Sequence, residues 1–427
     1  MKFDHPSWSY GTNIYEVNVR QYTREGTFNA IKNHLPRLIE MGVEILWFMP
    51  ITPISCKDRK GTLGSYYAVQ NYKAVNPEFG SLQDFIELVK YSHQLGFKII
   101  VDWVANHTGN DNIWINAHPD FFCYDSSNQI VHPNGWEDVS KLNFENLQMQ
   151  NAMIDAMKFW INTCDIDGFR CDMAHLVPLE FWRKARTELQ EIKAGQFWLA
   201  ECEEIIYHEV FDATYTWKWM HATEEFCKKK IELNNLFSVL QKYNYSFPRD
   251  AFRIYFTSNH DENSWNGTEY DKYGDAAKVL AVFSCTWNGI PMIYSGQELP
   301  NNKRLLFFDK DEIKWEPQCK VHNFYKTLLH LRKTNGALRA ADDTVLTYKL
   351  QTNNDNRILA FIRKNSDDEI LVILNLSNDR IMCELVNDKV KGSFINVFDG
   401  GIIYFSVEIN IELEPWDYLV YQKEKAL

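Results

Sequence analysis

Four short apolar runs in this chain each end on a carboxylate. Residues 97–101 lead into Asp102, within Asp102-Trp103-Val104-Ala105-Asn106-His107. Residues 166–169 lead into Arg170-Cys171-Asp172, residues 197–200 into Glu201, and residues 252–258 into Asn259-His260-Asp261. Runs of this length and apolarity read as buried strands. Strands that all finish in acids describe a parallel barrel whose C-terminal rim carries the chemistry.

The surrounding pattern agrees. Over the first two-thirds, β-rich runs alternate with helical periodicity, as βα units require. Strand one is expected at 14–19. Thr27 then caps a helix with Phe28, Ile31, Leu35, Leu38 and Ile39 on one face, stopped by Gly42; strand two follows at 45–49. Ser81-Leu82-Gln83-Asp84 has the form of a capping box opening a helix that Gly96 closes. Strand six is expected at 211–215, strand eight at 289–294 and a last helix at about 322–333. From roughly Asp342 the pattern changes to strands at 345–350, 358–363, 370–374 and 418–421, separated by Asn, Asp and Gly turns. The expected architecture is a (β/α)8 barrel over residues 1–340, followed by a C-terminal antiparallel β-sandwich over 341–427. An inserted loop domain spans about 107–147, where periodicity disappears among Pro119, Pro133 and Gly135. So long a loop on the catalytic rim of a barrel is a candidate for function.

Composition narrows the partners. The 427 residues are 45% hydrophobic, enough for a large core, and the net charge of −12 argues against a polyanion such as nucleic acid. The nine cysteines include no Cys-x-x-Cys pair, and Cys171 and Cys202 adjoin candidate catalytic acids. Strand alternation should turn both toward the helix layer, as reduced thiols. The first residues lack the apolar core of a signal peptide, and no stretch is long and apolar enough to span a membrane. A cytoplasmic location is therefore expected unless a leader is missing. With the barrel beginning almost at Met1, no separate N-terminal domain is expected ahead of it. A metal-dependent hydrolase on the same barrel would need clustered ligands such as His-x-His, and the chain has none.

Retaining glycoside hydrolysis needs two carboxyl groups, one to attack the anomeric carbon and one to protonate the leaving oxygen. Arg170 and Asp172 are two apart on a strand, so both should point into the barrel mouth, where Arg170 can hold Asp172 ionised. Glu201 ends the neighbouring strand. In type and order, the four segments resemble the α-amylase family of retaining glycoside hydrolases, over nearly the whole chain. The resemblance implies Asp172 as nucleophile, Glu201 as general acid/base and Asp261 as stabiliser of the transition state. It implies hydrogen bonds from His107 and His260 to the sugar, and Tyr67 stacked beneath it. Asp102 would orient Arg170, and Asn143 and His175 join the substrate-binding set.

The chain departs from the family in places. His175 is followed by Leu176 where a Lys-His pair is common, and Asn71 stands where the family usually has Asp. Val139-Ser140-Lys141-Leu142-Asn143 is similar to the Pro-Lys-Leu-Asn form of neopullulanases and cyclodextrinases, with Lys141 where calcium-dependent amylases carry Asp. No cofactor is expected, and no calcium at that place; Lys141 would instead bridge to Asn106 or neighbouring carbonyls. The implied activity is hydrolysis of α-1,4-glucosidic bonds in maltooligosaccharides, cyclodextrins or starch fragments, with retention. A glucan transferase, an α-glucosidase and a non-catalytic sugar-binding relative are the alternatives. The oligomeric state stays open.

Overall fold

The computed structural model describes residues 3–386, 390–406 and 410–425. Eight parallel strands close into a barrel: β1 (Ile14–Val17), β2 (Ile45–Phe48), β3 (Lys98–Trp103), β4 (Gly168–Cys171), β5 (Phe197–Ala200), β6 (Ala213–Tyr215), β7 (Phe252–Tyr255) and β8 (Ile290–Tyr294). Each strand pairs with its neighbours in sequence, and β8 returns to β1 with Ile14 opposite Met292 and Glu16 opposite Tyr294. All are shorter than six residues except β3, and all are buried along their length apart from Lys98.

Alternation divides their side chains into two layers. Ile14, Ile45, Trp47, Ile100, Phe197, Leu199, Phe252, Ile254 and Ile290 pack together inside the barrel. Leu46, Phe48, Val101, Phe169, Trp198 and Ile293 join the helix-facing core instead. Cys171 and Cys202 fall in this outer layer, as strand alternation requires, and all nine cysteines are free thiols. Gly168 opens β4 at a φ of +153°, and a Cβ there would meet the Phe197 carbonyl oxygen at 1.9 Å. Only glycine lets β4 and β5 approach this closely at that point.

The first helix differs from the sequence expectation. Two helices, Phe28–Lys32 and Leu35–Met41, replace the continuous one. Pro36 has no N–H to donate and its ring crowds the carbonyl four residues back, so the turn breaks and restarts with Pro36 in its first turn. Gly42 caps the second piece at a φ of +97°. The capping box at Ser81 and Asp84 forms as read, opening Leu82–Leu95. The segment after β3 is also more ordered than its composition suggests. It holds a two-stranded ribbon (His107–Gly109 with Val139–Lys141) and a short helix, Ile113–Ala117.

Beyond the helix His322–Thr334 come β9 (Leu346–Leu350), β10 (Ile358–Lys364), β11 (Glu369–Asn375), β12 (Ile381–Glu384), β13 (Gly392–Asn396), β14 (Ile402–Phe405), β15 (Asn410–Leu413) and β16 (Tyr418–Lys423). They form a six-stranded antiparallel sheet in the order β9-β10-β11-β16-β13-β14, covered by the pair β12-β15. Ile358, Ala360, Ile362, Leu371 and Ile373 face that pair, while Leu359, Phe361, Ile370 and Val372 face the barrel. Two buried faces explain why β10 and β11 read as continuous apolar runs. No helix among the described residues is long and apolar enough to cross a membrane.

Candidate active site

The C-terminal ends of the barrel strands converge on one guanidinium. Asp102 and Arg170 are register partners on β3 and β4, and their inward side chains meet. Arg170 Nη1 donates to Asp102 Oδ1 and Oδ2 at 3.0 and 3.2 Å and to Asp172 Oδ1 at 3.1 Å. Its Nη2 lies 2.7 Å from Glu201 Oε1, an ion pair whose angle falls short of a good hydrogen bond. The backbone N–H of Met173 donates to the other oxygen, Glu201 Oε2, at 2.8 Å. Arg170 is fully buried between the rings of Trp47, Tyr67 and Tyr215. A charge removed from water in this way persists only with acids around it, and three surround this one.

Opposite these acids, Asp261 follows β7. His260 Nδ1 donates to Glu16 Oε1 at 2.5 Å, and its Nε2 lies 2.8 Å from the Tyr67 hydroxyl and 3.3 Å from Asp261 Oδ2. The Tyr67 hydroxyl in turn donates to Asp102 Oδ2 at 3.2 Å, which joins the two halves of the site. Of the adjacent tyrosines, Tyr67 enters the cavity while Tyr66 is buried beneath the Arg20 guanidinium.

Electrostatics follow from this packing. Burial raises Asp172 well above the usual carboxylate range; the Glu201 charge adds to the rise and Arg170 opposes it. A buried acid beside a second carboxylate keeps its proton longer than an isolated one would. Burial likewise lifts Asp102 to about 6 against the pull of Arg170. Burial alone would lower His260, but the charges of Asp261 and Glu16 hold it well above its ordinary value, as an imidazolium. Asp261 is held below its ordinary value against burial by the charge of His260. His107 has no such partner in contact, and burial lowers it to about 4.

Asp172, Glu201, Asp261, Tyr67 and His107 line one cavity of about 310 Å³, together with Trp136, Trp265, Phe307, Phe308, Met173 and the ion pair Lys60–Asp138. Arg170, Asp102 and His260 stand behind that wall. Asn143 and His175 are outside that lining. The Asn143 side chain accepts from the Glu145 N–H at 3.0 Å and shapes a turn, while His175 is exposed on a 3-10 turn at the rim. Lys141 departs from expectation: it is exposed, and Asn106 directs its amide to His107 Nδ1 at 3.2 Å. Its backbone pairs with His107 in the two-stranded ribbon. The acids around the inserted loop are engaged by protein groups. Asp58 meets the Asn110 amide, Asp111 accepts two backbone N–H groups, and Asp138 pairs with Lys60. Calcium prefers several oxygen ligands, carboxylates among them, whereas each of these three acids already holds a protein donor. Among the described residues no cluster of acids, histidines or cysteines has the form of a metal site.

Sequence reasoning passed over Glu16, although an acid at an inward position of the β1 run Ile14-Tyr15-Glu16-Val17 was a readable signal. Trp136, Phe307 and Phe308 come from irregular loops and Trp265 from a single π-helical turn, Glu262–Asn266, where no periodicity marks an aromatic as part of a site.

A closed parallel barrel with paired carboxylates on adjacent strand ends is the scaffold of a glycosidase-type site. The family model described as "Alpha amylase, catalytic domain" matches residues 9–129 and 124–318, and the chain belongs to the α-amylase family. It is similar to Alpha-amylase MalA of Haloarcula japonica, 25% identical over 395 residues, 88% of this chain and 57% of that protein. The chain thus spans little more than half the length of that relative. Among solved structures, an alpha-amylase from Lactobacillus plantarum superposes with a TM-score of 0.87 at 26% identity, over 97% of this chain and 99% of that one. A noncanonic maltogenic alpha-amylase, AmyB of Thermotoga neapolitana, reaches 0.89 at 25% identity, over 98% and 99%.

Proposed function

We propose that this protein hydrolyses α-1,4-glucosidic bonds in maltooligosaccharides and starch-derived glucans, with retention, through a covalent glycosyl-enzyme. The observation that carries the reading is the single Arg170 guanidinium in contact with both Asp172 and Glu201. Shared contact with one planar group sets the carboxyls side by side. Direct attack works at about 5–5.5 Å between carboxyls, whereas inversion needs about 6.5–9.5 Å to admit a water. Asp172 is the nucleophile. Glu201 delivers a proton to the leaving oxygen, then takes one from the incoming water. Asp261, ionised beside the His260 imidazolium, is available to sugar hydroxyls as positive charge develops on the ring. His107, kept neutral, offers a ring nitrogen to the same sugar.

The test is the anomer formed first. Proton NMR immediately after mixing with maltoheptaose should show α product, and an initial burst of β-anomer would overturn the mechanism. Chromatography of the same reaction separates hydrolysis, which only shortens the chain, from transfer, which also lengthens it.

A further inference from the structure

The segment from Ser55 to Leu63, in the loop after β2, is laced to a different rim element at each end. On one side it meets the inserted loop. Asp111 Oδ2 accepts from the N–H groups of Cys56 and Lys57 at 2.8 and 3.2 Å. Asn110 donates to Asp58 at 2.8 Å, and Lys60 Nζ lies 2.8 Å from Asp138. On the other side it meets the loop after β8. Asp309 Oδ1 accepts from the Thr62 N–H and hydroxyl at 2.7 and 2.6 Å, and the Leu63 N–H donates to the Phe308 carbonyl at 2.9 Å. At Gly61 the approach is so close that a Cβ would meet Phe308 Cβ at 2.6 Å. The Arg59 guanidinium donates to the carbonyls of Ser55 and Ile54, at 3.0 and 3.3 Å, and stiffens the span from within.

This strap bridges from the β3 side of the rim to the β8 side, and Lys60, Asp138 and Phe308 on its path line the cavity. It thus stands across the barrel mouth from Glu201, which follows β5. The Glu201 side is open, with His175, Ile205 and Ile206 exposed along it. At about 310 Å³ the cavity is at the small end of ligand pockets, which run from roughly 300 to 1,000 Å³.

We infer that the strap makes the glycone end of this site blind, so that the enzyme attacks linear α-glucans from the non-reducing chain end and releases a short product of fixed length. The inference rests on the hydrolase reading above. The acid protonates the oxygen that stays with the reducing-end fragment, so that fragment leaves on the Glu201 side. The other fragment, bearing the non-reducing end, points at the strap and must terminate there. Lys60 and Asp138, both on the cavity wall, are placed to meet the terminal sugar's hydroxyls.

The test compares p-nitrophenyl α-maltoheptaoside with the same compound blocked at its non-reducing end by a 4,6-ethylidene group. The free-ended substrate should be shortened by one constant increment, and the blocked one cut about tenfold or more slowly in kcat/KM. Equal rates on both, with fragments of every length from the first minutes, would overturn the blind end and leave hydrolysis standing. Failure to cut either would overturn the hydrolase reading and this inference together. Unlatching the strap by Asp58→Ala or Asp309→Ala, with melting temperature monitored, should bring the ratio of rates toward one. A ratio that stays at the wild-type value in two folded variants would remove the strap as the cause.

Discussion

At the scale of single residues, one charge decides which acids react. Arg170 holds Asp102, Asp172 and Glu201 around it, and burial sets how strongly each feels it. Asp172→Asn should abolish turnover with little change in melting temperature, because an amide cannot form the glycosyl ester. Glu201→Gln should lose natural substrates yet recover rate on a glycoside whose leaving group needs no proton. Full activity of Glu201→Gln on maltooligosaccharides would sink the acid/base assignment. Asp102 gives an acid limb: as pH falls through about 6 it takes a proton and ceases to charge-balance Arg170, so kcat/KM should decline there. His107 adds a stability signature. Its folded pKa of about 4 lies below the unfolded value of about 6.5, so the unfolded chain binds the extra proton in between. Stability is therefore intact above pH 6.5 and lost as pH falls toward 4, by about 3 kcal/mol at roughly 1.4 kcal/mol per unit. Denaturant titrations of wild type and His107→Gln should diverge by this amount across that window, with wild type losing more.

At the scale of elements, the strand ends were legible because their chemistry was confined to a few residues with fixed alternation. Arg170 and Asp172 share a face for the same reason that Phe169 and Cys171 share the opposite one. Helix Leu82–Leu95 was legible from its two caps, whereas the break at Pro36 was hidden beneath an apolar periodicity that continued across it. The inserted loop was the least legible. It is held by side chains meeting across distant segments, above all Asn110, which reaches Asp58, the Glu137 carbonyl and the Ser140 hydroxyl. Asn110→Ala would strand the buried Ser140 hydroxyl, at about 1–3 kcal/mol, and should expose the ribbon to proteolysis. Because the loop's acids already have partners of their own, we expect exhaustive EDTA treatment to leave melting temperature and activity unchanged. A fall restored by added calcium would refute that.

At the scale of the whole molecule, barrel and C-terminal sheet share a packed seam. Phe361 meets Trp287 edge-on with centroids 4.8 Å apart, and buried Arg363 donates to the carbonyls of Trp287, Leu338 and Arg339. Phe361→Ala should cost about 3–5 kcal/mol and lower a melting transition that barrel and sheet share. Two separate transitions in calorimetry would show that the seam does not couple them. By itself the sequence determined the barrel, the antiparallel sheet and the acids on successive strand ends, because periodicity and strand polarity are local properties that survive without knowledge of contacts. Only the tertiary structure decided that Glu16 supports His260, that Lys141 faces solvent, that four aromatics outside the strands wall the cavity and that the strap after β2 spans the rim. Those outcomes depend on which distant segments meet when the sheet closes, and ring closure is a property of the whole chain.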